Sequence, residues 1–188
     1  AVAISPSGRY LAATSSFQVP RIYVLDLQDT TNAGWKAFQL YVPLYVQGAT
    51  GGSIRFPDRI DWALDNQVIM YDAYSTAINA SGDTSGYWDI NLLRTTDGSI
   101  SRLIPPPPRG VSIGNPVFAS NTDNIVAYDY IDEFGSVTVR AVNLFTGAVG
   151  IVTNNFSSLG SPSFSGDDKK IFYHFITSSS ASVWSVDL

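Results

Sequence analysis

The sequence contains no cysteine, which excludes disulfide bonds, thiolate nucleophiles and metal sites built on cysteine. It contains one histidine, His174, so very few nitrogen ligands are present for zinc, copper or iron. We therefore expect no tightly bound transition metal and no resident cofactor.

Charge is also scarce, because charged residues make up only 14% of the chain and the formal net charge is −5. Lysine and arginine form no cluster, so the sequence does not support a nucleic-acid partner. No apolar run approaches the roughly 20 residues that a membrane-spanning helix needs. A surface rich in neutral polar residues is common in secreted and periplasmic proteins, and we expect a periplasmic or extracellular location.

What is present is a block of sequence that occurs four times. Each copy has an apolar anchor, a small residue, a polar turn and an apolar β-prone run, and the anchors are Ile4, Trp62, Phe118 and Phe164. These anchors are separated by 58, 56 and 46 residues (62 − 4, 118 − 62, 164 − 118). Repeats of this length built from strands cannot bury a face alone and must stack on their neighbours.

Each copy continues into further strands. A third strand ends in a short acid or amide, at Asp26, Asn91, Asn143 and Asp187, which we expect to accept backbone N–H groups. A polar turn then leads to a fourth strand, which the last copy lacks. Short strands without helical periodicity predict an all-β fold, and four antiparallel strands in tandem are the unit of a β-propeller.

The predicted architecture is therefore a single segment of about four propeller blades with an incomplete last blade. The approximate blades are residues 1–46, 47–109, 110–156 and 157–188, and we expect them to belong to a longer polypeptide. The anchors Trp62, Phe118 and Phe164, together with Trp88 and Trp184, are predicted core residues. Residues 44–56 and 75–86 interrupt the repeat and are predicted to be long loops.

The fourth copy carries a family resemblance. It reads Ser-Pro-Ser-Phe-Ser-Gly-Asp-Asp-Lys-Lys-Ile over residues 161–171 and Val-Trp-Ser-Val-Asp-Leu over residues 183–188. This resembles the repeat of TolB-like, more broadly WD-repeat-like, propellers, and residues 3–11 with 22–27 match nearly as well. The resemblance implies propeller blades but little about activity, because the repeated residues form turns and packing contacts.

A first candidate site lies at the end of the second strand. Aligning the four copies places Thr14, Asp72, Tyr128 and His174 at equivalent positions. We predict that these side chains share one face, where Asp72, Tyr128 and His174 could bind a polar ligand or a metal. The alternative is that each residue merely ends a strand and makes a local hydrogen bond.

A second candidate is a carboxylate cluster formed by Asp129, Asp132 and Glu133. With Asp72, or with Ser81, Asp83 and Thr84, it could supply oxygen ligands for calcium. No EF-hand spacing is present, so a solvated acidic loop is the alternative.

Catalytic motifs are missing from the sequence. It has no Gly-x-Ser-x-Gly elbow, no P-loop and no dinucleotide-binding glycine motif. We therefore expect a non-catalytic binding or scaffold module that binds a protein or glycan partner through residues 17–21 and 75–86, or that meets further blades of its own polypeptide. The resemblance also implies an alternative, a substrate-gating propeller of a prolyl oligopeptidase-type serine peptidase whose catalytic domain lies outside this segment.

Overall fold

The computed structural model describes residues 1–29, 31, 34–43, 46–104, 108–153, 158–176 and 178–188. Within these residues, the regular structure consists of fifteen β-strands in four antiparallel sheets. No helix that could cross a membrane occurs among them. The chain divides into two compact units, residues 1–109 and 110–188, which are described in turn.

Unit one contains two four-stranded sheets, each with its strands in chain order. Blade one is formed by β1 (Val2–Ile4), β2 (Tyr10–Ser15), β3 (Arg21–Asp26) and β4 (Trp35–Gln39). Blade two is formed by β5 (Ala49–Trp62), β6 (Val68–Asn79), β7 (Thr84–Arg94) and β8 (Ile100–Arg102).

Unit two contains the other two sheets. Blade three is formed by β9 (Ser112–Ala119), β10 (Thr122–Ile131), β11 (Val137–Asn143) and β12 (Val149–Ile151). Blade four is formed by β13 (Ser163–Phe164), β14 (Lys170–Ile176) and β15 (Ala181–Asp187). The prediction of propeller blades with an incomplete last blade is confirmed.

The repeated turn explains why the first two strands of a blade pair as a hairpin. In blade one, the N–H of Gly8 donates to the Ser5 carbonyl at 2.8 Å, and Gly8 has φ +71°. Asn66 and Asp168 occupy the same turn position in blades two and four, both with φ +58°. Glycine, asparagine and aspartate are the residues that tolerate this left-handed conformation best, so all three copies encode the same turn.

The core of unit one lies between blades one and two. Ile22 and Ala12 of blade one and Ile69 of blade two are fully buried in one apolar cluster, to which Trp62 also belongs. The Trp62 ring stacks on Tyr10 with centroids 6.0 Å apart. Full burial of one large aliphatic side chain stabilises the fold by about 1.5–3 kcal/mol, so this cluster holds the two blades together.

The core of unit two contains Ala127, Val139, Ile171 and Tyr173, with Phe164 packed against it. Phe118 is 7% exposed, so the predicted core positions of Trp62 and Phe118 are confirmed. The core prediction for Trp184 is wrong, because this residue is 54% exposed on β15. The Trp184 ring, on the last strand of the blade, packs against Phe175 of β14 with centroids 5.6 Å apart.

Candidate functional site

Blade two is extended well beyond the other blades. Its strands β5, β6 and β7 have 14, 12 and 11 residues, whereas β8 has 3 and pairs only with Asn91–Leu93 of β7. The part of the sheet beyond β8 is therefore three-stranded, and we call residues 49–57, 73–79 and 84–89 the extension. The predicted loops at 44–56 and 75–86 are wrong for the described residues, because most of them are paired strand.

The tip of the extension is a tight turn. The Asn79 N–H donates to the Asp83 carbonyl at 3.0 Å, and Gly82 between them has φ +86°. The Asn79 side-chain oxygen accepts the N–H groups of Ser81 and Asp83, at 3.0 and 2.8 Å. This is a three-residue hairpin loop with glycine in the left-handed position, so the tip is held by its own backbone and by one amide.

A groove of about 200 Å³ lies along one side of the extension, and we call it the hairpin groove. Its floor includes the cross-strand pair Ala77 and Ser85, whose small side chains leave the space open. Its rim carries a carboxylate from Asp83 and a guanidinium from Arg109. Among the described residues neither Arg109 nor Asp83 makes an ion pair, so the groove is lined by one unpaired charge of each sign.

A buried ion pair lies below the groove, on the same face of β7. Asp89 Oδ2 is 2.9 Å from Arg102 Nη2, and both side chains are 1% exposed. The Ser75 hydroxyl donates to Asp89 Oδ1 at 3.1 Å. Burial raises the pKa of Asp89, while the Arg102 charge and the Ser75 and Asn91 hydrogen bonds act in the opposite direction.

The opposite face of the extension carries three aromatic rings. Phe56 of β5 contacts Tyr74 of β6 and Trp88 of β7, with centroid distances of 5.5 and 5.3 Å, and Tyr74 lies 5.6 Å from Trp88. Phe56 is 40% exposed. Aromatic residues that are partly exposed are enriched at protein interfaces, so this cluster is a candidate contact surface.

Two glycines allow the strands of the extension to approach closely. A Cβ at Gly52 would overlap the backbone carbonyl of Thr76, and a Cβ at Gly86 would overlap the Tyr74 hydroxyl. The sequence does not predict these close approaches, because a glycine within a strand can mark either a bulge or a close backbone contact.

The predicted ligand residue Asp72 lies in β6 and is 2% exposed. Its Oδ1 accepts the N–H of Arg59 at 2.7 Å, opposite a bulge in β5 between Pro57 and Ile60. Asp72 therefore satisfies a backbone donor that the bulge takes out of the strand ladder. Ligand binding by Asp72 stays a prediction.

The structure corrects the alignment that grouped Tyr128 with Asp72. The anchor Trp62 pairs with Ile69, seven residues later (69 − 62), whereas Phe118 pairs with Val126, eight residues later (126 − 118). The irregular β9–β10 hairpin contains one extra residue, so Asp129 rather than Tyr128 is equivalent to Asp72. Tyr128 is 3% exposed, and burial raises the pKa of its hydroxyl.

Asp129 is fully buried and holds two segments of unit two together. Its carboxylate accepts the N–H groups of Gly160 and Ser161, at 3.0 and 3.1 Å, from the segment that leads into blade four. It also accepts a hydrogen bond from the side-chain Nδ2 of Asn115 in β9, at 2.9 Å. His174 donates its backbone N–H to the Gly160 carbonyl at 2.7 Å. Asp129 and His174 therefore bind the same Gly160–Ser161 peptide group, and His174 does so with its backbone rather than its imidazole.

Asp132 repeats the role of Asn79. Its Oδ1 accepts the N–H groups of Phe134 and Ser136 at 2.9 and 2.8 Å, and Gly135 has φ +81°. The sequence signal for this turn is an aspartate or asparagine followed three residues later by glycine, and it occurs at both hairpins. Among the described residues, no group of three or more histidine and carboxylate side chains has the arrangement of a metal site.

The predicted acceptors at the ends of the third strands are confirmed in two cases. Asp26 accepts the N–H of Gln28, and Asn143 accepts those of Phe145 and Thr146. Asn91 was misaligned, since Arg94 occupies the position equivalent to Asp26 while Asn91 is buried in mid-strand beside Tyr71.

Comparison with solved structures supports the fold. TolB from Acinetobacter baumannii is similar over 100% of this chain and 51% of its own, at 15% identity and a TM-score of 0.50. A putative TolB from Agrobacterium tumefaciens is similar over 98% of this chain and 60% of its own, at 15% identity and a TM-score of 0.63. An acylaminoacyl peptidase from Pyrococcus horikoshii is similar over 99% of this chain and 30% of its own, at 11% identity and a TM-score of 0.64.

These similarities show the fold, and the predicted TolB-like propeller architecture is confirmed at that level. The chain spans only part of each of these proteins, between 30% and 60% of their length. No protein-family model and no curated protein matches the sequence.

Proposed function

We propose that this chain is a non-catalytic binding module that holds a protein partner on the extension of blade two. The observation that carries the proposal is the projection of β5, β6 and β7 beyond β8, with the hairpin groove on one face and the aromatic cluster on the other. A surface that is built on strands keeps its shape before binding, and the entropy cost of association is correspondingly low.

The base of the extension supports this role. Asp89 and Arg102 join β7 to β8 below the groove, and Ser75 ties the same carboxylate to β6. Breaking a buried pair leaves an uncompensated charge, so β6, β7 and β8 are strongly held in one register. The groove rim and the aromatic cluster are thereby fixed relative to each other.

The two faces would recognise different features of a partner. Arg109 on the rim of the hairpin groove suits an acidic side chain, because it has no ion pair among the described residues. Phe56 on the other face suits an apolar or aromatic side chain. The composition, poor in charge and rich in neutral polar residues, supports a periplasmic or extracellular partner. Membership of a longer polypeptide with further blades belongs to the same proposal.

A second candidate is the propeller part of a serine peptidase. The observation that favours it is the TM-score of 0.64 with the acylaminoacyl peptidase, of which this chain matches 30%. In that case the blades would control access to a catalytic domain located elsewhere in the polypeptide. A Gly-x-Ser-x-Gly elbow in the full reading frame would favour this candidate.

The test shortens the extension without changing its register. Deleting the two cross-strand pairs Ala77–Ser85 and Ile78–Thr84 removes two residues from β6 and two from β7, so the alternation of faces along these two strands is retained. Wild-type and shortened chains are immobilised and exposed to a cell-envelope extract of the source organism. We expect the wild-type chain to retain a defined partner and the shortened chain to lose it.

The matched control is Phe145→Ser, a change at an 87% exposed aromatic residue in the turn after β11 of unit two. This variant should retain the same partner, because it leaves the extension intact. Equal retention by the shortened chain, with an unchanged melting temperature, would show that the extension is not the binding surface.

A further inference from the structure

The buried face of blade two contains polar atoms that the surrounding protein does not satisfy. Tyr71 of β6 and Asn91 of β7 lie directly opposite each other in the strand pairing, and both are fully buried. Among the described residues, neither the Tyr71 hydroxyl nor Asn91 Oδ1 has a hydrogen-bond partner. Nearly all buried polar atoms in native proteins are hydrogen-bonded, either to protein or to ordered water, so these two atoms require an explanation.

Both atoms belong to the surroundings of the Asp89–Arg102 ion pair. Alternate residues of a strand point to one face, so Asp89 and Asn91 share the face of Tyr71, and Arg102 of β8 pairs directly with Asn91. Burial raises the pKa of Asp89 and the Asn91 amide counteracts this rise, although Asn91 Nδ2 is outside hydrogen-bond geometry with that carboxylate. Burial, and then the Asp89 charge, raise the pKa of Tyr71. The polar groups are therefore close enough to share one ligand.

The neighbouring side chains on this face do not supply the missing hydrogen bonds. Tyr71 is next to Ala73 along the same face of β6, and Ile60 of β5 lies opposite it. All three belong to the apolar cluster between blades one and two. The Ser75 hydroxyl, which follows on the same face, already donates to Asp89 Oδ1. The missing partner is therefore not a side chain of this cluster.

The charge and the enclosure of the site define the class of its ligand. Asp89 and Arg102 have opposite charges 2.9 Å apart, so the described side chains sum to no net charge and do not favour an ion. Both side chains are 1% exposed, so a large ligand could enter only by opening the core. The Tyr71 hydroxyl can donate, whereas Asn91 Oδ1 and the carboxylate accept. Water is neutral, small, and both donates and accepts hydrogen bonds.

We propose that unit one binds at least one internal water molecule between Tyr71 and Asn91, beside the Asp89–Arg102 ion pair. The water accepts from the Tyr71 hydroxyl and donates to Asn91 Oδ1 and to Asp89 Oδ2, whose described contact is the ion pair. Buried waters typically make about three hydrogen bonds of this kind. Hydration lowers the cost of burying the two charges at the base of the extension. The site lies in the core, so it is independent of the proposed partner binding.

The direct test is a high-resolution crystal structure of the 188-residue chain. We expect the electron density of a water molecule within about 3 Å of both the Tyr71 hydroxyl and Asn91 Oδ1. In crystals of the Tyr71→Phe variant this water should be displaced or missing, because it has lost its donor.

The melting temperature of Tyr71→Phe distinguishes a hydrated hydroxyl from an unpaired one by the sign of the change. Loss of a hydrogen bond to water should lower the melting temperature by roughly 2–4 °C. An unpaired buried hydroxyl destabilises the fold, so its removal would raise the melting temperature instead. The matched control is Tyr23→Phe, which removes the hydroxyl of a half-buried tyrosine in β3 and should shift the melting temperature by less than about 2 °C.

A second variant tests whether the two residues share one water. Asn91→Leu should also lower the melting temperature, because it removes the acceptor of the same water. The double variant Tyr71→Phe/Asn91→Leu should lower it by less than the sum of the two single changes, since each single change already releases the water.

Three outcomes would overturn the proposal. One is a crystal structure without water density between Tyr71 and Asn91. Another is a protein group from outside the described residues that occupies this position and bonds both atoms. The third is a melting temperature of Tyr71→Phe that is equal to or higher than that of the wild type.

Discussion

Substituting Asp129 tests whether this buried carboxylate is a structural clamp or a ligand site. Asp129→Ala removes the acceptor of two backbone N–H groups, of Gly160 and Ser161, and of the Asn115 side chain. A hydrogen bond to a charged group contributes about 1.5–3 kcal/mol, and a buried donor that loses its acceptor costs about 1–3 kcal/mol. Because these terms overlap, we expect the free energy of unfolding to fall by about 3–5 kcal/mol in total.

The assay is urea unfolding followed by far-ultraviolet circular dichroism, with thermal unfolding alongside it. For a chain of this size, such a loss should lower the melting temperature by roughly 6–20 °C. Asp129→Asn retains the shape but places an amide NH₂ against a backbone donor, so it should cost less than alanine does. Asn115→Ala removes one of the three donors and should cost about 1 kcal/mol.

The control is Glu133→Gln, an exposed carboxylate of the same predicted acidic cluster, which should change the stability by less than about 0.5 kcal/mol. A loss of less than about 1 kcal/mol in Asp129→Ala would refute the clamp. So would calcium at about 1 mM raising the melting temperature of the wild type but not of Asp129→Asn, because that result would assign the carboxylate to a bound cation.

Four further predictions follow from unit one and from the single histidine. Asp89→Leu or Arg102→Met alone should lower the free energy of unfolding by about 3–5 kcal/mol, and the double variant should cost less than the sum, as a urea double-mutant cycle will show. Gly52→Ala should destabilise the extension, because its Cβ would overlap the Thr76 carbonyl, whereas Gly51→Ala, with open space at its Cβ, should have a melting temperature close to that of the wild type. The hydrogen bond from Arg9 lowers the pKa of Asp26 below its ordinary value of 3.8. This pair therefore stabilises the fold above pH 3.8, and the stabilisation is lost as the pH falls through the folded-state pKa. In the Arg9→Gln variant, the melting temperature should fall less steeply as the pH is lowered through this range. Zinc titration should show no micromolar binding, and His174→Ala should leave the titration unchanged.

The blade pattern could be predicted from the sequence because turn chemistry is local. Gly8, Asn66 and Asp168 each adopt the left-handed conformation that closes the first hairpin of a blade, and all three belong to residue types that favour it. The apolar anchors Trp62 and Phe118 could be predicted as core because each lies at the end of a strand, directly before a polar turn. Trp62 is the last residue of β5, and Phe118 is the last but one residue of β9.

The extension could not be predicted, because polar composition was interpreted as a loop. Residues 75–86 are rich in serine, threonine and glycine, yet most of them pair along β6 and β7. The strands persist because tertiary pairing with β5 supplies hydrogen bonds that local propensity does not report. Asp89 and Arg102 were missed because their pairing joins positions thirteen residues apart (102 − 89) through the geometry of β7 and β8.

A bulge explains why the sequence alignment of the blades placed Tyr128, and not Asp129, at the position of Asp72. One extra residue in the first hairpin of blade three moves the position equivalent to Asp72 from Tyr128 to Asp129. Once that residue is counted, two blades have a buried aspartate at the same place, and in both the carboxylate accepts a backbone N–H that is not part of a regular strand ladder. Two aspartates in equivalent positions that both accept backbone N–H groups indicate a structural role in the blade, and any ligand would have to displace these hydrogen bonds. A binding role is better sought where blade two departs from its neighbours, because the part of the extension beyond β8 adds surface that the shorter blades lack.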